Sequence, residues 1–513
     1  MVSKRRLLAD TTGMALVTVV SRVAGWWRDK VLASHLGAQG IGDAFIAGFR
    51  APNLFRQLLA EGALHATFIP TLAAAEQRGN AQEVRRFVAA MTSTLLVIAG
   101  GVVVLGMWQA PFFANLLAPE YQQIPEKHAL TVYFTRWLFP YLGFIALAAL
   151  VQGILNVKGK FLLSAATPIM LNLAIAFSVL GAAWQGWGFP PWLVVGVLLG
   201  GFLQFASQWV AAARQGFWAL PGRQAFHHPQ VREVLRKGLP LLLSSGIYPI
   251  TVTLATYFAS SAGDGALFCV YAASRTNELV YGVVVVQLFT ALLPALARDE
   301  QSQETFAFAL RLQSLVVFPS AVFLMVLAPA VTGLLFGGGR FGPGEVGLAG
   351  QALVGFAAGM PALAFSKLAA GRFFASHNTR APVQGSLVSL AVFAVAGFVM
   401  TPRWGVVGVA CATSLSQYAS SLYLGWRLWR AGQGPPGEVF LSAVAHALAA
   451  VVMGGALWGV RQTIAFPWHT SLRGGVMVCA AGLLGFGLYL ACLWFLRRRE
   501  IQELLRLLLR RGA

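Results

Sequence analysis

Acidic residues are scarce in this chain, with 18 Asp and Glu against 38 Lys and Arg in 513 residues, and charged residues of every kind make up only 11%. So few carboxylates leave no loop cluster able to act as a general acid and base, a constellation that a membrane enzyme would need. No H-E-x-x-H helix occurs, and Lys158-Gly159-Lys160 lacks the preceding glycine and following Ser or Thr of a phosphate-binding loop. Cysteine is rare too. Cys269, Cys411, Cys479 and Cys492 all fall in apolar segments without metal-ligand spacing, which excludes a disulfide framework or zinc site and reads as small buried hydrophobes. Long polar stretches are also missing: the longest, 214–238, contains Pro221, Pro229 and the pair His227 and His228, and is too short to bury a core alone.

What the chain has instead is apolar length. Hydrophobic residues make up 57% and the mean hydropathy is +0.67, so lipid is the expected solvent. Stretches such as 87–108, 192–213, 383–400, 443–460 and 474–496 approach the roughly 20 residues that cross a hydrocarbon core, and the whole length accommodates about fourteen such helices. The expected class is an all-α polytopic membrane protein, with no room for a soluble catalytic domain. A basic start before an apolar run resembles a signal peptide, but Arg22 and Arg28 interrupt the run and no A-x-A site follows, so it reads as a retained first helix.

The net charge of +20 and pI of about 10.6 could indicate nucleic acid, but the cations alternate between loops rather than forming one patch. With Lys4, Arg5 and Arg6 in the cytoplasm, Arg78, Arg85, Arg86, Lys158, Lys160, Arg223, Arg232, Arg236, Lys237, Arg372, Arg380, Arg427 and Arg430 fall on that same side. The opposite loops hold fewer: Lys127, Arg340, Arg403, Arg461 and Arg473. This bias predicts both termini in the cytoplasm.

A weak internal echo divides the chain. Residues 49–73 and 274–297 both begin near an arginine and end in P-x-L-A, each followed by a charged loop and another apolar helix. Two bundles of about six helices each fit this offset, related by an axis along the membrane normal, with a cavity between them. The expected divisions are a first lobe at 1–228, a second at 229–432, two additional helices at 433–497, and an amphipathic tail helix at 498–513 on the cytoplasmic leaflet. The two additional helices are poor in polar groups and suit lipid or an acyl chain; helices that merely complete the packing would look the same.

Charges in the first two apolar segments are the strongest functional signal. Arg22, Arg28, Arg50 and Arg56 crowd there with Asp29, Asp43 and Glu61, while each charge at a bilayer centre costs roughly 2.5–3.5 kcal/mol on insertion scales. Such a group implies an interior hydrated cavity, and the excess of cations implies an anionic ligand. Guanidinium suits phosphate because its planar fork grips two oxygens at once, so several around one cavity suit a diphosphate. Seven-residue separations place Arg22 with Asp29 and Asp43 with Arg50 on common faces; Arg275 and Glu278, three apart, are also adjacent. Structural ion pairs, or snorkelling of Arg28 to Lys30, are the alternatives. Pro52, with Gly42, Gly48 and Gly62 nearby, is expected to break or bend the second helix and free backbone groups.

At this point a resemblance is specific. SRVAGWWRDK (21–30), GDAFIAGFRAPNLFRQLLAEGALHATFIP (42–70), and Arg275 with Glu278 followed by LLPALA (292–297) resemble the MurJ (MviN) family of lipid II flippases, within the multidrug/oligosaccharidyl-lipid/polysaccharide exporter superfamily. The likeness spans essentially the full length and implies a MATE-like fold. It implies that Arg22, Arg28, Arg56 and Arg275 are cavity cations facing the diphosphate, and that Asp43, Glu61 and Glu278 match functional acids. Ser274 stands where the family often has Asp. The resemblance further implies a non-enzymatic, cofactor-free flippase in the bacterial inner membrane. It would carry undecaprenyl-diphosphate-MurNAc-pentapeptide-GlcNAc, lipid II, to the outer leaflet by alternating access for peptidoglycan synthesis, with cell-wall synthesis proteins as conceivable partners.

Three rivals are weighed by chemistry. A drug exporter would favour an acidic, aromatic-lined cavity; an enzyme on polyprenyl diphosphates would need the acid, base or metal constellation missing above. A flippase for another polyprenyl-diphosphate-linked glycan is separated only by the resemblance. For energy coupling, a cationic cavity would respond to membrane potential, whereas 239–262 and 383–400 lack the carboxylates that a sodium site favours.

Overall fold

The structure is a computed structural model and describes residues 4–218, 220–222, 225–282, 303–498 and 502. All regular elements among them are helical, apart from one isolated bridge between Gly338 and Phe341. The predicted tail helix at 498–513 and the LLPALA motif at 292–297 lie essentially outside the described residues, and of Glu61 only the backbone is described. Two compact units are present, Met1–Leu267 and Phe268–Ala513.

The first unit opens with α1 (Lys4–Leu36), α2 (Ile41–Arg56), α3 (Ala63–Gln77) and α4 (Ala81–Trp108). It continues through α5 (Ala110–Leu117), α6 (Pro125–Leu138), α7 (Tyr141–Val157), α8 (Phe161–Gln185) and α9 (Phe189–Ala213). After these come α10 (Pro229–Ser245), α11 (Ile247–Ser260) and α12 (Ala266–Tyr281), the last running into the second unit. Asn80 starts α4 by accepting the Glu83 N–H, and prolines stand in the first turn of α5, α6, α9 and α10, where a missing N–H costs nothing. Phe68, Phe87, Leu150 and Ile154, all fully buried, knit α3, α4 and α7 into one core.

The second unit contains α13 (Gln303–Phe336), α14 (Pro343–Ala358), α15 (Met360–Ala375), α16 (Arg380–Arg430), α17 (Gly437–Thr463) and α18 (Leu472–Leu496). At 51 residues, α16 is roughly 75 Å of helix by its rise, far more than one crossing needs. It reverses at Gly405, whose φ of 53° a side chain would resist, and a Cβ on Gly408 would fall 2.3 Å from the Met400 carbonyl oxygen. The run is therefore two helices folded against each other. Within α13, Leu327 leaves helical geometry two residues before Pro329.

Among the described residues nine helices are long and apolar enough to cross a membrane, or ten if α14 and α15, bent by 41°, form one span. The protein is thus an all-α polytopic membrane protein, as its hydropathy predicts. Helix α1 has the length, at 33 residues, but carries Arg22, Arg28, Asp29 and Lys30, so apolar character alone does not reveal it. Of the four cysteines only Cys269 is buried, and Cys479 is exposed on the apolar helix α18, so the buried reading holds for one of them.

Candidate functional site

Pro52 removes one N–H from α2, yet the helix continues to Arg56 and changes character only afterwards, as a π-helical turn at Gln57–Gly62 before α3. The expected break is therefore displaced. The looser ladder carries Glu61, and single π turns inside helices recur at functional sites. Upstream, Gly48 lets α2 lie directly on α6, since a Cβ there would fall 2.5 Å from Phe134 Cβ. Phe45 meets Phe134 edge-on at 5.5 Å and Phe49 meets Tyr141 at 5.6 Å, fixing the rotation of α2 and the direction of Arg56.

Arg28 is held from two sides. Its Nε donates to Asp29 Oδ1 at 2.9 Å and its Nη1 to Asn172 Oδ1 on α8, also at 2.9 Å. Asp29 is 4% exposed and Asn172 8%, so the guanidinium is positioned by groups with little access to solvent. Gly25 makes room for this, as a Cβ there would lie 3.3 Å from Asn172 Nδ2. Arg22 is half-buried six residues before Arg28 on the same helix, and Arg56 is half-buried with its Nε on Asn53 Oδ1 at 2.7 Å.

Asp43 is fully buried in the first turn of α2, where the helix dipole favours an anion. It takes Lys127 Nζ at 2.6 Å and the Gly265 N–H at 2.9 Å, and Lys127 also reaches Asp264 at 2.6 Å. Lys127 is 3% exposed and occupies the first turn of α6, an unfavourable place for a cation, so two carboxylates are needed to hold it. Its ammonium stands 4.0 Å over the Tyr121 ring, and burial followed by the Asp43 charge pushes the Tyr121 phenol above its ordinary value.

Lys127, which loop charge counting places simply as an outer cation, is thus a buried ion-pair centre. Asp264 and Asn172 also escape sequence reading. Their partners are 137 and 144 residues away, and no local pattern marks them.

In the second unit Arg275 and Glu278 pair at 2.8 Å on α12, both about half-exposed, and the guanidinium lies 5.2 Å from the Tyr271 ring. The i,i+3 neighbour expected from the spacing is therefore formed. Far along the same unit, His446 of α17 is buried with Nδ1 2.8 Å from Ser314 Oγ, and the Tyr489 hydroxyl donates to the Leu315 carbonyl at 2.9 Å, joining α17 and α18 to α13.

The family described as lipid II flippase MurJ matches residues 32–474. The chain belongs to the MurJ family. A probable lipid II flippase MurJ from Rhizobium meliloti is 30% identical over 464 residues, 88% of this chain and 86% of that protein. A lipid II flippase MurJ from Burkholderia cenocepacia is 31% identical over 497 residues, 93% and 95% of the two chains. A solved structure described as lipid II flippase MurJ in an inward closed conformation shares the fold, with TM-score 0.80 at 20% identity over 95% of this chain and 99% of that one. Membership in the MurJ family places the chain among transporters. It is consistent with the expectation drawn from its motifs.

Proposed function

We propose that this chain translocates lipid II from the cytoplasmic to the outer leaflet of the bacterial inner membrane, supplying peptidoglycan synthesis. The match to the MurJ family over residues 32–474 carries this reading. Arg22, Arg28, Arg56 and Arg275 bind the diphosphate, and Asp43, Glu61 and Glu278 act as the functional acids. Both termini are cytoplasmic, as the loop charge bias implies.

Two lobes, 1–228 and 229–432, rock about the bound head group, while the helices of 433–497 guide the polyprenyl tail. The Arg28 pairing with Asp29 and Asn172 supports a prearranged donor, because a fixed fork loses less freedom on meeting an anion than a mobile one. Each net positive charge moved through 100 mV is worth about 2.3 kcal/mol, enough for membrane potential to reset the empty carrier.

The test is rescue of a flippase-depleted bacterium, with outer-leaflet lipid II measured by its accessibility to an external probe. Wild-type chain should restore accessibility; single Ala replacements of Arg22, Arg28, Arg56 and Arg275 should not, although each inserts normally. Arg56→Lys should also fail, because the charge remains but the fork is lost. Normal accessibility in every variant would refute the reading.

A further inference from the structure

The second unit contains a cavity of about 260 Å³ lined by Leu327, Pro329, Val346, Arg461, Phe466 and Trp468. Its construction follows from the bend in α13. Pro329 has no N–H, so the Met325 carbonyl loses its helical partner, and at the adjacent turn the Val326 carbonyl accepts Arg461 Nη1 at 3.0 Å. Arg461 sits in the last turn of α17, where the negative end of the helix favours a cation.

The connection from α17 to α18 closes the opposite wall and is fastened in place. Thr470 donates its N–H to the Gly337 carbonyl at 3.1 Å and its hydroxyl to the Leu334 carbonyl at 2.8 Å. Gly337 is required for this approach, because a Cβ there would fall 2.0 Å from the Trp468 carbonyl oxygen. The concavity is therefore built by backbone contacts rather than left by a loose loop.

The geometry points to a binding site for the head group of an anionic phospholipid of the phosphatidylglycerol type. A guanidinium has five N–H groups, and among the described residues one of them is engaged, on Val326, which leaves a fork for a phosphate. The surrounding Pro, Val, Phe and Trp surfaces suit glycerol and the first methylenes of an acyl chain. The cavity lies between the bend of α13 and the end of α17, with Trp458 and Trp468 exposed nearby, and indole rings favour the interface of a bilayer.

Arg461 forms no ion pair among the described residues, so the site has net positive charge, which disfavours head groups bearing their own amine. Glu345, on α14, turns its carboxylate to the Gly342 N–H at 3.0 Å and so occupies the end of that helix itself.

The test uses the full-length protein purified in detergent, titrated with phosphatidylglycerol or phosphatidylcholine, with retained lipid counted by native mass spectrometry. Wild type should retain phosphatidylglycerol preferentially, and Arg461→Gln should reduce that retention about fivefold. Gly347→Leu offers a second route: Gly347 lines the cavity and a Cβ there meets nothing within 4 Å, so a larger side chain should narrow the space without striking a neighbour at its first carbon. It should reduce retention to a similar extent. Wild-type retention in Gly347→Leu, equal binding of both lipids, or displacement of the lipid by millimolar inorganic phosphate would each overturn the assignment.

Discussion

Lys127 Nζ lies 2.6 Å from Asp43 Oδ2, joining the first turns of α6 and α2 through two side chains that are 3% and 0% exposed. Removing Lys127 takes the counter-charge from the fully buried Asp43 carboxylate. Lys127→Ala should therefore destabilise the protein by about 3–5 kcal/mol, measured by thermal unfolding in detergent. The double replacement Lys127→Met with Asp43→Asn should recover much of that loss, since no net charge then stays buried. Asp264→Asn should cost only about 1 kcal/mol or less, because that carboxylate is 47% exposed.

The Arg28 contact to Asn172 predicts a second effect. Asn172→Ala removes a hydrogen bond to a charged group, of the kind worth about 1.5–3 kcal/mol, and also releases one side of the guanidinium. Transport should fall further than stability. Lipid II accessibility compared with unfolding temperature in the same variant separates the two, and equal loss in both would indicate packing alone.

Gly408 predicts a folding defect. The Cβ of Gly408→Val would collide with the Met400 carbonyl, a backbone atom that cannot swing away, so the hairpin within α16 should fail to close. The expected outcome is loss of monodisperse protein on size-exclusion chromatography. Gly347→Ala, on α14 with open space around its Cβ, should elute normally.

His228, at the start of α10, packs its ring 5.6 Å from Phe87, and burial lowers its pKa below the ordinary 6.5 despite the nearby Glu83. A depressed histidine stays neutral when folded, whereas the unfolded chain takes up the proton first as pH falls. Stability should therefore be fully present above pH 6.5 and decline with acid below it. His228→Phe should flatten that decline in unfolding temperature measured between pH 7.5 and about 5.

Part of the charge pattern was legible because charge inside an apolar segment is costly enough to mark itself. Arg22, Arg28 and Arg56 stand out from their neighbours at a glance, and Arg275 with Glu278 makes the pair its three-residue spacing implies. Lys127 did not stand out, since a lysine two residues after a proline reads as an ordinary loop cation.

Sequence alone determined the helical class and the apolar character that suits a membrane, because hydropathy is a sum over residues that needs no knowledge of contacts. Tertiary structure alone decided that Asp43 belongs with Lys127 and Gly265, that Asn172 steadies Arg28, and that the second helix loosens at Gln57–Gly62 instead of at Pro52. The reason is distance along the chain. Those partners come together across sequence separations of 84 to 222, where only the packing of whole helices fixes which side chain meets which.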